Sequence, residues 1–539
     1  MAETVYGAVE HDATQLRHRR LHRGLSARQV QMIAIAGTIG TGLFLGTGKS
    51  LAEGGPASML ICYALVGIIV YVTLLLLGEM ATQYPVAEVN VPCRAGSFNA
   101  YTARFFSPSY AFALSWNYWF NDAVSVASDL TAAQLVLQFW TSSEYTWVIS
   151  LVFWVFLVGV NATHVKAYGE LEYWLSSLKV ATVLLFIVLG VFVNINSDIG
   201  LSNWRIPGAP FVGGFGGFAR VFVTASFAYG GTESLGITAG ETKNPSKNMP
   251  RVVKFVFWRI LLFYILSILL IGLNVPWDYP NLSNRSTTTS PFTIVFRQAG
   301  STFAASFMNT VILSSVLSAG NHALFAGTRV LYGLSVANPP QAPALFSWTT
   351  AAGVPLPALL LTSSVSALCF GTSFIGSGVL WGWLQNIVGV SNQIAWLSIG
   401  LASWRFRKAW ISQGRALKDL TFHTSWTWPY GPPFVIVTVS ALIIIQGWSS
   451  VLPVFSAIDF LSFYIEVPVI VVMLLRCSHA KRGQSSGGEK PRRWFLDLVD
   501  VRTADLDSDQ YVGDAADGDE EEQHAGTVGI WRKLYYYLA

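Results

Sequence analysis

Long apolar runs alternate with short polar connectors along most of this chain. Runs of spanning length fall at roughly 30–51, 57–78, 109–138, 146–163, 172–194, 216–241, 253–275, 301–332, 356–372, 378–403, 434–450 and 454–475. Each is near the ~20 residues that an α-helix needs to cross the hydrocarbon of a bilayer. The pattern predicts an all-α polytopic membrane protein with about twelve transmembrane helices. Residues 1–28 and 476–539 are polar tails on either side of a helical domain covering 29–475.

Two of the runs break their own rule. The first carries Gly37, Gly40, Gly42, Gly46 and Gly48 among threonines, in the middle of a segment that should be a lipid-buried helix. Each glycine gives up about 1 kcal/mol of helix propensity relative to alanine. Unpaired backbone in hydrocarbon is tolerated only where protein or a wet cavity covers it. The expectation is that the chain unwinds here and offers bare amides and carbonyls to a small polar solute. Close helix packing through small residues is the competing explanation. The sixth run repeats the anomaly at residues 227–234, with Gly230, Gly231, Thr232 and the acid Glu233. Runs one and six open two successive five-helix groups. Broken helices at matching places in two halves point to an inverted-repeat transporter. Helix N-terminal stubs attract an anion, and exposed carbonyls attract a cation. A site with both suits a zwitterion such as an amino acid, although sugars are not excluded by this alone.

Composition agrees and narrows the classes. Only 12% of the residues are charged, about half the share usual for a soluble domain. A net charge of +4 gives no reason to expect nucleic acid as a partner. Cys62, Cys93, Cys369 and Cys477 have no metal or redox spacing, and no cleavable signal peptide opens the chain. Basic residues set the orientation. With a cytosolic N-terminus, the inner loops hold Arg94 and Arg104; Lys166; Lys243, Lys247, Arg251 and Lys254; and Arg405, Arg407, Lys408, Arg415 and Lys418. Outer loops hold few, such as Lys49, Arg205 and Arg285. Both termini are therefore expected in the cytosol. The loop after the seventh run is then outside and carries two glycosylation sequons, at Asn281 and Asn284; a third, at Asn161, reads as chance.

The landmarks together resemble a known family, the fungal amino-acid permeases of the amino-acid–polyamine–organocation superfamily. They are residues 37–46 (GTIGTGLFLG), 78–81 (GEMA), 116–120 (WNYWF), 168–170 (YGE), 227–241 with Asn244 and Pro245, 258–264 (WRILLFY), 318–321 (SAGN) and 405–407 (RFR). The resemblance implies a LeuT-like fold, a 5+5 inverted repeat with helices 1 and 6 broken. It also implies proton-driven amino-acid uptake at the plasma membrane, with no cofactor beyond the proton gradient. Carried over by motif, the amides of Thr41 and Gly42 resemble a carboxylate cradle. Carbonyls near Thr38, Phe227 and Gly230 resemble receptors for the substrate ammonium, and the Phe227 ring resembles a cover over the substrate.

Ionisable groups inside spanning helices are functional candidates, because they are costly to keep there. Glu233 is a candidate for the substrate ammonium or a proton. Lys179, in the fifth run, looks like the lysine that replaces a cation in proton-using relatives; snorkelling to the interface is the alternative. Asp129 stands where the family usually has glutamate, and is a candidate for both substrate and proton. Glu79 and Glu241 read as gate or packing residues, and His322 as a structural histidine. Val388 replaces a Ser or Thr that bears on choice among basic amino acids, with Ser391 and Asn392 able to restore polarity. Extra residues at 89–94 put the inner loop there in question. Broad-range uptake is the first expectation and lysine/arginine uptake the second, the latter supported by residues 236–241 and the acidic stretch 505–509 and opposed by Val388 and the Asp129 substitution. A non-transporting amino-acid receptor is the alternative from another class. Ubiquitin-dependent trafficking machinery is an expected partner of the tails, with Lys481, Lys490 or Lys533 as acceptors.

Overall fold

The computed structural model describes residues 39–84, 97–141, 145–163, 165–234, 236, 245–282, 289–300, 302–337, 340–452, 454–484 and 497–508, and among these no residue lies in a strand. Thr38, Glu241, Asn284, Lys490, Lys533 and residues 89–94 lie outside the described residues. The main helices are α1 (Thr47–Gln83), α2 (Pro108–Leu137), α3 (Thr146–Ala162), α4 (Val165–Asn196), α5 (Gly214–Ala228), α6 (Pro245–Arg259), α7 (Ser267–Asn274), α8 (Pro291–Gln298), α9 (Thr302–Val336), α10 (Leu356–Ser366), α11 (Ser377–Ser412), α12 (Gly431–Ile445), α13 (Ala457–Tyr464) and α14 (Glu466–Gln484). Several expected runs are joined or bent. α1 joins the end of the first run to the second, and its direction breaks at Gly55 (φ 81°) before Pro56. The corner is held by main-chain hydrogen bonds from Val212 to Gly54 at 2.9 Å and from Ala57 to Pro210 at 3.2 Å. A π-helical turn, Ile260–Leu266, joins α6 to α7, and α13 meets α14 at a 50° bend.

Among the described residues, six helices are long and apolar enough to cross a membrane: Gly42–Gln83, Gly169–Asn196, Val252–Asn274, Phe303–Val336, Leu356–Ile375 and Gly431–Val451. The bent pair α13–α14 would make a seventh. Two long helices outside that set, α2 and α11, are the ones at the centre. α2 packs against α9, α11, α10 and α14, and α11 against α5 and α12. Both carry amides, hydroxyls or acids among their buried residues, including Asn117, Asn121, Asp122 and Asp129 on α2 and Gln385, Ser391 and Asn392 on α11. The outer helices do the reverse. Val152, Val188, Phe192, Val437, Ile444 and Val472 are exposed. In water so much open apolar surface would be an aggregation hazard; against lipid tails it is the outer wall. Polar inside and apolar outside is the sign of a protein whose solvent is a bilayer.

The end of the bundle where α1 stops is closed by a buried ion pair. Arg407, from α11, donates to Glu79 through Nε at 2.8 Å and Nη2 at 2.6 Å, both side chains fully buried. Nη2 of Arg407 also donates to Thr427 Oγ1 at 2.7 Å, and His423 Nδ1 lies 2.9 Å from Glu79. Glu79 is thus a packing residue at a helix end, as the sequence suggested. Across the same end lies the segment 497–508. Val499 donates its amide to the Phe106 carbonyl at 3.0 Å, and Leu506 is buried. Part of the expected C-terminal tail therefore packs on the helical domain over this stretch.

The expected unwinding of the first run is corrected in its described part. The chain bends at Ile39–Gly40 and is helical from Thr41. Residues Gly42–Gly46 form a π-helical turn that runs into α1. The amides of Leu43 and Phe44 both reach the Gly40 carbonyl at 3.2 Å, so the backbone is already helically bonded where the π turn begins.

Candidate functional site

Bends in two chain segments face each other. α5 ends at Ala228, Tyr229–Gly231 turn, and Gly231 has φ 82°. Beside it, the first turn starting at Thr41 has amides with no intrahelical partner, as at every helix start. A Cβ on Gly42 would stand 2.3 Å from Cα of Ala228, and one on Gly230 2.0 Å from Nδ2 of Asn392. Only glycine permits these approaches. At Gly42 and Gly230 the close-packing reading of the glycines holds.

Between these bends lies a cavity of about 70 Å³, against the roughly 10–15 Å³ that one water requires by the same kind of measure. It is a space for a small solute. Gly40, Thr41 and Gly42 line it from one bend, and Phe227, Gly230 and Gly231 from the other. α2 contributes Tyr118, Asn121, Asp122, Ser125 and Asp129; α9 contributes Ala319, His322, Ala323 and Ala326; α11 contributes Val388 and Asn392. Thr41 Oγ1 donates to Asp129 Oδ1 at 2.6 Å, tying the first bend to α2. The Phe227 carbonyl accepts the Gly230 amide at 3.1 Å, and the Ala228 carbonyl accepts the Tyr264 hydroxyl at 2.7 Å.

The residues singled out from sequence are therefore partly gathered. Thr41, Gly42, Asp129, Phe227 and Gly230 line one cavity, with His322, Val388 and Asn392. Ser391 is engaged with α2, accepting from Asn117 Nδ2 at 2.7 Å. Glu233 is buried but does not line the cavity. Its carboxylate accepts from the Tyr118 hydroxyl at 3.0 Å, Trp396 Nε1 at 3.2 Å, the Gly231 amide at 3.3 Å and Thr232 Oγ1 at 3.4 Å. It stitches the turn after α5 to α2 and α11. Lys179 is buried behind the cavity, within electrostatic reach of Glu172 and Asp129. Asn281 is exposed, away from this site. Asn161 has its amide bound to Leu157 and Asn321, in keeping with a structural role.

Two acids were passed over in the sequence. Glu172 on α4 accepts from Ser318 Oγ at 2.6 Å and Asn321 Nδ2 at 2.7 Å, both on α9. It lies at the edge of its apolar run, where a charge reads as a helix end. Asp122 sits seven residues before Asp129, and the cost of an intramembrane charge flags both alike.

The sequence profile of the amino acid permease family matches residues 29–484, nearly all of the helical domain. The chain belongs to that family. The permease is 43% identical over 477 residues to a probable amino-acid permease of Schizosaccharomyces pombe, covering 84% of this chain and 91% of that one. It is 40% identical over 464 residues to the lysine-specific permease LysP of Escherichia coli, covering 84% and 92%. With the general amino-acid permease GAP2 of Candida albicans it shares 36% over 534 residues, 96% of this chain and 86% of that one. The permease is thus an integral, multi-pass membrane protein that transports amino acids, and not an enzyme.

Proposed function

We propose that the permease carries amino acids into the cell with protons by alternating access. In this reading it has twelve spans in a LeuT-like inverted repeat, lies in the plasma membrane and keeps both termini in the cytosol. The observation that carries it is the 2.6 Å hydrogen bond from Thr41 to Asp129 in the wall of a cavity bounded by two bends. First-turn amides at Thr41 and Gly42 suit the substrate carboxylate. The turn at Phe227–Gly230 suits its ammonium. Asp129 touches this cradle on one side and is in electrostatic reach of Lys179 on the other. A proton taken up by this pair from outside and released to the cytosol changes the charge beside the substrate, and so links occupancy to protonation. Glu233 acts one step back, by fixing the turn that carries Gly230 and Gly231.

The test is uptake by the purified permease in liposomes. An inward proton gradient should drive accumulation of a labelled amino acid, and a protonophore should collapse it. Equal uptake with and without the gradient would overturn the coupling.

A further inference from the structure

We propose that Asp122, with the amide oxygen of Asn121 beside it, receives a positively charged substrate side chain, so that lysine- and arginine-like amino acids are the preferred cargo. This deepens the reading above and rests on the cavity being the substrate site.

Asp122 is only 6% exposed, lines the cavity, and its Oδ2 has no hydrogen-bond partner among the described residues. Asn121 gives its Nδ2 to Asn392 Oδ1 at 3.3 Å, which fixes the amide and leaves its own buried Oδ1 without a donor. Two adjacent cavity residues therefore present acceptors that nothing answers. The hydroxyl of Tyr118 is already directed to Glu233. Among the described lining residues there is no lysine or arginine, whereas Asp129 is a second acid and Glu233 acts on Asp122 electrostatically. The wall is acidic in composition and rich in acceptors. A buried carboxylate left without a partner is costly, and a substrate that supplies donors and positive charge relieves that cost on loading. Ammonium and guanidinium groups are donors only and carry positive charge, so they complement this wall; apolar side chains offer neither.

The spacing fits as well. Asp122 and Asp129 are two turns apart on one face of α2, roughly 10 Å of helix rise. Asp129 marks the end that holds the substrate backbone, through Thr41. With hydrogen bonds at each end, an extended lysine or arginine side chain covers the interval to Asp122, while a short one stops before it. The opposite wall is low, formed by Ala323 and Ala326. Small residues there leave room for a straight chain. A site built to receive a donor rejects analogues that lack it far more strongly than an apolar pocket rejects size.

Counterflow in liposomes without a proton gradient is the measurement, because it reads selectivity whether or not the coupling reading holds. In the wild-type permease, unlabelled lysine and arginine should compete with labelled lysine at least tenfold better than Nε-acetyl-lysine; weaker discrimination overturns the proposal. In Asp122→Asn the lysine-to-leucine ratio of kcat/KM should fall at least fivefold, and Asp122→Glu should restore part of it. A smaller fall in Asp122→Asn, or an equal loss on both substrates, overturns it. So does loss of gradient-driven accumulation for every substrate with the counterflow ratio unchanged, which would make Asp122 a proton carrier. The wild-type competition stands even where Asp122→Asn fails to fold. Absence of any counterflow would instead sink the reading of the cavity as a substrate site.

Discussion

Gly42 and Gly230 show how single atoms set this site. A methyl on Gly42 must displace the last turn of α5, since it would meet main chain at 2.3 Å. Gly42→Ala should therefore reduce uptake of all amino acids at least tenfold with surface expression retained, measured as initial rates in permease-deficient cells. Glu233→Gln should act in the same direction. One carboxylate oxygen becomes a donor facing the Tyr118 hydroxyl or the Trp396 indole N–H, groups that now donate. Hydrogen bonds to charged groups are worth about 1.5–3 kcal/mol each, so a mutant with full transport would remove Glu233 from the mechanism. Lys179→Ala should leave counterflow intact while abolishing the stimulation of uptake by acid outside. At this scale the sequence was a good guide to residue types and a poorer guide to direction. Glu233 was conspicuous as a charge in an apolar run, but only the fold reveals that it faces Trp396 and Tyr118. The rule that marks Asp129 marks Asp122 too, and that signal went unused.

Helices were the most legible level, because hydrophobic run length and helix length answer to the same bilayer. The runs at 109–138, 146–163 and 301–332 reappear as α2, α3 and α9 with ends displaced by only a few residues. Less legible was how a helix accommodates its glycines. A π turn and an unwound stretch have the same composition, and the difference lies in whether the Gly40 carbonyl still finds amides to accept. The lock at the end of α1 was legible in part, as Glu79 and Arg407 taken separately. Their pairing across 328 positions was not. Breaking such a buried pair leaves one charge unanswered, at a cost of about 3–5 kcal/mol. Glu79→Ala should accordingly lower the melting temperature in detergent sharply, with Glu79→Gln in between. An unchanged melt would mean that the pair contributes no net stability.

For the whole molecule, the arginines counted as topology signals have a second use. Arg104, Arg405 and Arg415 were read as inner-loop charges, Arg405 also as part of a family landmark, yet all three hold the segment 497–508. Arg104 Nε donates to the Asp505 carbonyl at 2.9 Å, Arg405 is bound to the Val499 carbonyl, and Arg415 pairs with Asp507. The segment looked like a tail because it has few apolar residues, and its donors come from far away in sequence. Partial burial acts upward on the Asp505 carboxyl, but hydrogen bonds from Ser508 and Asp507 and the charge of Arg104 outweigh it and hold it below its ordinary value. A carboxyl lowered in the docked state favours docking when ionised. Its contribution is whole above the ordinary range, near 3.9, and is lost as pH falls through the lowered value. Hydrogen exchange at 499–506, corrected for intrinsic rate, should be constant from about pH 7 to pH 5 and rise only in stronger acid.

Apart from the carboxyls of Asp505 and Asp507, the hold on that segment is on its main chain. Carbonyls of Val501, Ala504, Leu506 and Ser508 accept from Ser412, Gln413, Tyr84 and Arg104, while Ala504 and Leu506 alone in this group are buried. Most of its side chains are thus free to drift over evolutionary time without loosening the contact, provided that its length is kept. An engineer attaching a reporter to this permease should fuse it after residue 508. A shortened or interrupted 497–508 would cut several ties to the bundle at once.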